Sequence, residues 1–423
     1  MMNKEKFYDL AFELKELALW DRMYENEFFA VQFDDGTLGY CSVMGSEGEH
    51  YALGIYMGYE GIASYRELSK ASKIKNVMKF HEVLLSQNCL QCSFEDKDLL
   101  DAQTVKEIRR YAKTRGIALK GHNPYPNFLL YEPSRVPWQV EDPIHWNYLQ
   151  AALVAAIDVG KKLGMQSKNE LGFIKNFDKG TIPLLEVKGD SVVWGVTELP
   201  EARPVEYPSP VFCDDELLAN LRKLKKQDMT VLCEVVMLVS PERDSELEES
   251  SGYQGKMPMV APYYPYLLLV LDQESLQILA AIPAKDYVHG NFRLPQEFAV
   301  QLLEMKRLPK RILVRDDRTQ ALLTSLSDKL NIELKKKKSL PELDDVEDDL
   351  FDYLKGKDEE GFETSNSDAL DLGMDQFSDY FTSLDQVDSE EIPQELLDSL
   401  KEFTEDGEIS PELLQLLQEI RKA

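Results

Sequence analysis

The sequence predicts an α+β domain, then an α/β domain, then an acidic tail that is helical or disordered. Two apolar runs within residues 28–43 flank Asp35 and Gly36, and this pattern is the strongest short-range signal for a β-hairpin. Over residues 263–354, strand-like and helix-like patterns alternate, as is typical of α/β domains. Residues 341–423 hold 27 Asp and Glu but only 5 Lys and Arg, within a chain of 423 residues and net charge −28.

Residues 1–170 are predicted to form the α+β domain around an antiparallel sheet. Apolar residues three or four apart indicate helices, and short apolar runs indicate strands. Asp101 precedes one helical pattern and has the side chain of a typical N-cap. Residues 122–143 combine several prolines with no periodicity, which predicts a long loop. The predicted elements are a helix at 7–19, the hairpin, a strand at 51–57, a helix at 61–70, a strand at 88–94, and helices at 102–114 and 144–163.

Residues 171–356 are predicted to form the α/β domain with a mixed sheet. Pro295 suits the first turn of a helix, because the missing N–H of proline is not needed there. Acidic residues at 214 and 215 can begin another helix. The predicted elements are strands at 184–187, 192–196 and 230–239, a hairpin at 263–282, the helix after Pro295, a strand at 311–315, a helix at 317–330, a strand at 332–334 and a helix over 340–354.

Residues 357–423 form the acidic tail, which also carries apolar side chains that a purely solvating tail lacks. Acidic and amphipathic segments of this kind fold onto a partner's groove or back onto their own chain. We therefore expect the tail to bind a basic protein surface or the body of this chain. The predicted partner-binding residues are Phe377, Tyr380, Phe381, Leu396, Leu397, Leu413 and Leu416.

Composition argues against several classes of function. No long apolar segment and no signal peptide are recognisable, so we expect a soluble, cytoplasmic protein with no membrane partner. Residues 1–340 balance 43 basic against 49 acidic residues, which argues against nucleic acid as a ligand. The basic run Lys335–Lys338 could clamp phosphates or dock the tail, but we favour a solvated strand end whose charges offset Glu342, Asp344 and Asp345.

Motifs for catalysis, cofactors and metals are weak. Cys89 and Cys92 form a C-x-x-C pair, but the residues that follow them suggest a strand rather than the helix N-terminus that activates a thiol. We expect two buried structural thiols. The five histidines are scattered, and no spacing typical of a zinc site, a P-loop or a nucleophile elbow occurs. The sequence thus predicts no cofactor and no metal site.

Residues 263–356 resemble the ribonuclease H-like fold in the order of their predicted elements. That order is two strands, a third strand near residues 287–292, then helix, strand, helix, strand, helix. Enzymes of this family use clustered carboxylates to hold two divalent ions at a phosphodiester. The resemblance implies a metal-dependent phosphodiesterase or nuclease as the alternative function. The implied carboxylates are Asp272, Glu304, Asp316 or Asp317, and Asp348 or Asp352.

As a whole, the chain resembles bacterial two-domain proteins of unknown function. The resemblance rests on the region from Trp138 to Trp146, on residues 263–272 and on residues 311–317, and it implies no activity. The function that the sequence favours is that of a non-enzymatic interaction or regulatory protein. Its acidic C-terminal arm would bind a basic partner.

Overall fold

The computed structural model describes residues 4–46, 48, 50–173, 180–188, 191–251, 260–285, 287 and 292–361. The chain divides into two compact units. Unit 1 consists of the described residues within Met1–Ser72 and Val83–Arg203. Unit 2 consists of Lys73–Glu82 and the described residues within Pro204–Gly361. The tail residues named above as partner-binding lie outside the described residues.

Unit 1 is built on an eight-stranded sheet. Its strands are β1 (Phe29–Gln32), β2 (Leu38–Met44), β3 (Ala52–Met57), β4 (Cys89–Glu95), β5 (Tyr125–Tyr131), β6 (Trp138–Gln139), β7 (Thr181–Lys188) and β8 (Ser191–Glu198). The strand order is β6-β5-β4-β3-β2-β1-β7-β8. All neighbours are antiparallel except β1 and β7, which run parallel. The α+β class and the antiparallel character of this sheet are therefore confirmed.

Five helices begin within the N-terminal half of the chain. They are α1 (Glu5–Leu17), α2 (Gly58–Leu68), α3 (Val77–Leu85), α4 (Ala102–Arg115) and α5 (Pro143–Leu163). Side chains alternate across each strand, so one face of the sheet packs against α1, α4 and α5 and the other against α2. Of α3, the residues up to Glu82 belong to unit 2.

Several local predictions for unit 1 are confirmed. Gly36 has a left-handed φ of 86°, and Thr37 N–H donates to the Asp35 carboxylate at 2.9 Å, so the predicted hairpin forms. Asp101 caps α4 by accepting hydrogen bonds from Gln103 N and Thr104 N, both at 2.9 Å.

Two predictions for unit 1 differ from the structure. The prolines near residues 122–143 conceal strands β5 and β6, which pair with each other, and β5 also pairs with β4. The predicted boundary at residue 170 is also too early, because β7 pairs with β1 and with β8 in the first sheet. Unit 1 therefore extends to Arg203.

Unit 2 contains a five-stranded mixed sheet. Its strands are β9 (Lys226–Met237), β10 (Tyr266–Asp272), β11 (Ile278–Ala284), β12 (Leu308–Val314) and β13 (Glu333–Lys336). The strand order is β11-β10-β9-β12-β13. β9, β12 and β13 are parallel neighbours, whereas β10 is antiparallel to both β9 and β11. The predicted hairpin at 263–282 and the α/β class are confirmed.

Helices cover both faces of this sheet. They are α6 (Asp215–Leu221), α7 (Ser245–Ser251), α8 (Arg293–Glu304), α9 (Asp317–Leu330) and α10 (Pro341–Gly361). On one face, Leu343, Leu350 and Leu354 of α10 pack with Met78 of α3 against Leu232 and its neighbours in the sheet. On the other face, α6, α8 and α9 pack against each other and the strands. Among the described residues, no helix has the length and apolar content needed to cross a membrane.

Candidate functional site

The most unusual feature of unit 2 is a cluster of charged side chains buried between the sheet and α10. Arg315 follows β12 directly and points to the α10 side of the sheet. Its Nε and Nη2 atoms lie 3.1 and 2.6 Å from the two carboxylate oxygens of Glu234. Its Nη2 atom also lies 2.8 and 2.9 Å from the two carboxylate oxygens of Glu347, and Nη1 contacts Asp344. The side chains of Glu234 and Glu347 are fully buried.

The sequence places these groups together for simple geometric reasons. Glu234 alternates with Leu232 and Val236 along β9, so it shares their inward face. Glu347 follows Leu343 by four residues on α10 and therefore points to the sheet as well. The cluster thus lies where an apolar core would be expected.

The stretch Lys73–Glu82 completes the cluster. Lys79 Nζ lies 2.7 Å from Glu234 Oε1. Asn76 Nδ2 donates to Glu347 at 2.7 Å and to Asp344 at 3.0 Å. The cluster therefore contains three carboxyl groups but only two cations, Lys79 and Arg315. One carboxyl group has no cation to balance its charge.

A proton on Glu347 compensates this imbalance. Burial raises the pKa of Glu347 to about 8, and repulsion by Glu234 adds to the rise, although Arg315, Asn76 and Lys79 oppose it. Near neutral pH the cluster therefore holds a proton and is close to neutral overall. Buried ion pairs contribute little net stability, because desolvation offsets their attraction. We interpret the cluster as a device that fixes how α3 and α10 dock on the sheet.

Arg318 makes a second buried contact with the stretch Lys73–Glu82. Its guanidinium donates to the Glu82 carboxylate at 3.1 Å and also contacts the backbone oxygen of Val235. It lies over the rings of Tyr266 and Tyr287, at 5.3 and 5.7 Å from their centroids. Arg315 and Arg318 thus both form ion pairs at this end of β12.

The four carboxylates of the alternative catalytic set are not brought together. Asp272 pairs with Val231 and caps a turn by accepting from Ser275 N at 2.9 Å. Val314 pairs with Cys233, which lies two residues beyond Val231 on β9, and Asp316 lies two residues beyond Val314. Four residues, or about 13 Å along the sheet, therefore separate Asp316 from Asp272. A two-metal site would need ions only about 3.5–4 Å apart.

The remaining members of that set are equally dispersed. Glu304 ends α8, just before β12 begins, whereas Asp316 follows the end of β12, about 20 Å away along the strand. Asp316 caps α9 by accepting from Thr319 N at 2.6 Å. Asp352 is exposed on α10. Among the residues that the structure describes, no group of His, Cys, Asp and Glu is arranged to hold a metal ion.

The outer face of α10 carries a stripe of carboxylates, which we call the acidic stripe. It consists of Asp345, Asp348, Asp349 and Asp352, all exposed and three or four residues apart. Partial burial, and then repulsion by neighbouring carboxylates, raises the pKa of both Asp348 and Asp349. No ion pair joins any of the four to a residue in the described part of the chain.

The other predicted sites agree with structural roles. Cys89 and Cys92 lie on strand β4, three residues apart, and so belong to apolar clusters on opposite faces of the sheet. Burial raises the pKa of both thiols well above the ordinary value. The run Lys335–Lys338 is exposed, but Lys335 and Lys336 pair with Glu333 and Asp317 rather than with the predicted acids.

Sequence reasoning missed Lys79, Glu234, Arg315 and Glu347. One signal was available: Glu234 is the only charged residue between Val231 and Val239, within an otherwise apolar strand. A charge in such a position needs a buried partner. Nothing in the local sequence could identify that partner as Lys79 or Arg315.

Comparison with protein-family models divides the chain in two. Residues 5–182 match a domain of unknown function (DUF7309), and residues 217–351 match another domain of unknown function (DUF6930). The first match includes Lys73–Glu82, although that stretch packs in unit 2. A search of the curated proteins found no match. The chain therefore contains two regions, each similar to a domain of unknown function.

Proposed function

We propose that this protein is a non-enzymatic interaction protein that binds a basic protein surface through its acidic C-terminal end. The binding surface would combine the acidic stripe with the acidic segment, residues 357–423. That segment holds 20 Asp and Glu against 4 Lys and Arg. The observation that carries the proposal is the acidic stripe, because its four carboxylates are exposed and none is paired with a described residue.

The fold fixes this stripe in place. Leu343, Leu350 and Leu354 bury the inner face of α10 in the core of unit 2, so the outer face is presented on a rigid element. Partial burial raises the pKa values of Asp348 and Asp349, and repulsion among the neighbouring carboxylates raises them further. A cationic ligand would relieve that repulsion and should bind more weakly as salt screens the charges.

Charge alone would give a weak complex. Exposed ion pairs contribute about 0–1 kcal/mol each, whereas a micromolar complex needs about 8 kcal/mol. The difference must come from apolar side chains such as Phe377, Phe381 and Leu397, each of which yields about 1.5–3 kcal/mol when fully buried. We therefore expect a partner whose surface combines Lys or Arg with apolar pockets.

Calorimetric titration of the full chain with a Lys- and Leu-rich amphipathic peptide tests the proposal. We expect micromolar binding that weakens as salt is raised. Changing Asp345, Asp348, Asp349 and Asp352 to Asn should weaken it by tenfold or more, at about 0.4 kcal/mol for each lost charge pair. The matched control changes four exposed acids elsewhere to amides, namely Asp98, Glu141, Glu201 and Glu206. Equal weakening by both variants would refute a specific acidic surface.

A second candidate is the metal-dependent phosphodiesterase with a ribonuclease H-like unit 2. The element order favours this fold once β9, rather than β10, is taken as the first strand. The order is then three strands, α8, β12, α9, β13 and α10. The carboxylates at the corresponding positions in β9 and α10 would be Glu234 and Glu347. However, Arg315 already pairs with both carboxylates, and Lys79 also pairs with Glu234.

We therefore rank the enzyme below the interaction protein. A thermal-shift titration of the full chain with Mn²⁺ separates the two, because a ligand that binds the folded state raises its melting temperature. If the protein is an interaction protein, Mn²⁺ should raise the melting temperature of the wild-type chain no more than that of the Glu347→Gln variant. Saturable stabilisation that the variant loses would favour the phosphodiesterase.

A further inference from the structure

One end of unit 2 is strongly basic, in contrast to the acidic chain as a whole. It lies where the parallel strands β9 and β12 begin, and we call it the basic end. Lys226 at the start of β9 pairs with Leu308 at the start of β12. The cations at this end are Arg222, Lys223, Lys225, Lys226, Lys306, Arg307, Lys310, Arg311 and Lys329.

Specific contacts hold these segments together. Arg222 Nη2 donates to the backbone oxygen of Lys329 at 2.9 Å, which joins the end of α6 to the end of α9. Lys226 Nζ donates to the backbone oxygen of Asn331. The basic end is therefore a fixed surface built from three segments of the chain, residues 222–226, 306–311 and 329–331.

Acids in the same region neutralise only part of this charge. Asp228 pairs with Lys310 at 3.0 Å, and Lys310, with Arg311 adding to it, lowers the pKa of Asp228. Lys335, with Arg311 adding to it, lowers the pKa of Glu333. In the described part of the chain, exposed Lys225, Lys306 and Arg307 have no ion-pair partner. The remaining acids at this end, Glu304 and Asp328, are also outnumbered.

We propose that the basic end is the docking surface for the acidic segment of the same chain. The inference rests on the proposed function. The basic end is the surface that the acidic segment would bind when no partner is present. The charges are complementary: the segment carries 20 acids and 4 bases. It begins at the end of α10, and more than 60 residues can span on the order of 200 Å, so every part of unit 2 is within reach.

Covalent linkage favours this occupant over a free polyanion. Two sites on one chain meet at an effective concentration of roughly millimolar when the linker can span them. Residues 222–230, 304–311 and 328–334, which surround these cations, contain no aromatic residue, whereas nucleic-acid surfaces commonly interleave aromatic residues with their cations. Partly exposed Leu224 and Met305 lie beside the cations and offer small apolar contacts to the segment.

Self-docking would regulate partner binding. A docked segment is not available to a basic partner, so the partner must compete with the basic end. The apparent dissociation constant rises in inverse proportion to the undocked fraction, by about tenfold if nine in ten molecules are docked. A basic partner present at low concentration would then remain largely unbound.

Zero-length carbodiimide cross-linking of the full chain tests the docking directly. It joins a carboxylate to a lysine amine only when the two are in contact. We expect cross-links from the segment to Lys223, Lys225, Lys306 or Lys310, lost at high salt. Mixing unlabelled with ¹⁵N-labelled chains distinguishes links within one chain from links between copies. Links only between copies, or links spread evenly over all exposed lysines, would overturn the proposal.

A charge variant separates this inference from the proposed function. Changing Lys225, Lys306, Arg307 and Lys310 to Gln should tighten binding of the Lys- and Leu-rich peptide by about tenfold, because the competitor is removed. The matched control changes three exposed lysines and one exposed arginine of unit 1 to Gln, namely Lys106, Arg110, Lys113 and Lys120. Peptide binding that neither variant alters would refute self-docking alone. Absence of peptide binding in every variant, with cross-links intact, would refute the proposed function alone.

Discussion

Replacing Glu347 by Gln should remove a large pH dependence from the stability of unit 2. The folded protein binds a proton at Glu347 more tightly than the unfolded chain does, because burial raises the pKa of this carboxyl from 4.5 to about 8. The contribution of Glu347 to the free energy of unfolding is therefore fully present below pH 4.5 and is lost as the pH rises through 8. Gln has the shape of the protonated carboxyl and cannot ionise, so it should keep the cluster neutral.

The magnitude follows from the two pKa values. At about 1.36 kcal/mol for each pKa unit, the wild-type chain should lose about 3–4 kcal/mol more stability than Glu347→Gln between pH 5 and pH 8. With a urea dependence of about 2 kcal/mol per molar, the two midpoints should diverge by roughly 2 M over that range.

Urea unfolding followed by far-UV circular dichroism would measure the difference. Trp fluorescence provides an internal control, because all four Trp residues lie in unit 1. The control variant is Glu333→Gln: Lys335 lowers the pKa of this exposed carboxyl, so its effect on stability lies below pH 4.5. Parallel stability curves for wild type and Glu347→Gln between pH 5 and 8 would refute the reasoning.

Three further outcomes follow from the packing. In native buffer only Cys213 should react with a thiol reagent, because Cys41, Cys89, Cys92 and Cys233 are buried. All five thiols should react in denaturant. Reaction of more than one thiol in native buffer would contradict the structure. Phe351→Ala should destabilise unit 2 by about 3–5 kcal/mol and leave the Trp fluorescence transition unchanged, whereas a loss below 1 kcal/mol would show that the ring is not core. Asp101→Ala should lower the stability of unit 1 by about 1 kcal/mol in a Trp-monitored urea titration, and an unchanged midpoint would mean that the N-cap of α4 is dispensable.

Local signals in the sequence predicted much of the fold. Three features depend on residues within a few positions of each other, so the local sequence is enough to predict them. They are the Asp35-Gly36 turn, the Asp101 cap and the apolar face of α10. The hairpin of β10 and β11 was predictable for the same reason. The α/β class of unit 2 follows from these elements.

Features that depend on distant residues could not be predicted. The pairing of β7 with β1 joins residues about 150 positions apart, and no local pattern specifies it. Strand β5 was hidden because its apolar run at 128–130 is preceded by Pro124 and Pro126, which resemble loop residues. The candidate site depends on the same long-range choices: Lys79 meets Glu234 only after α3 docks on the second sheet.

The placement of Lys73–Glu82 also constrains how the molecule is assembled. The ribosome delivers these residues well before β9 and α10 exist, so Met78 has no hydrophobic cover until the C-terminal half has been synthesised. A fragment starting at Pro204 would lack the ammonium group that neutralises Glu234. Neither half is thus a self-sufficient folding piece, and co-expression of both fragments should rescue what each one loses alone.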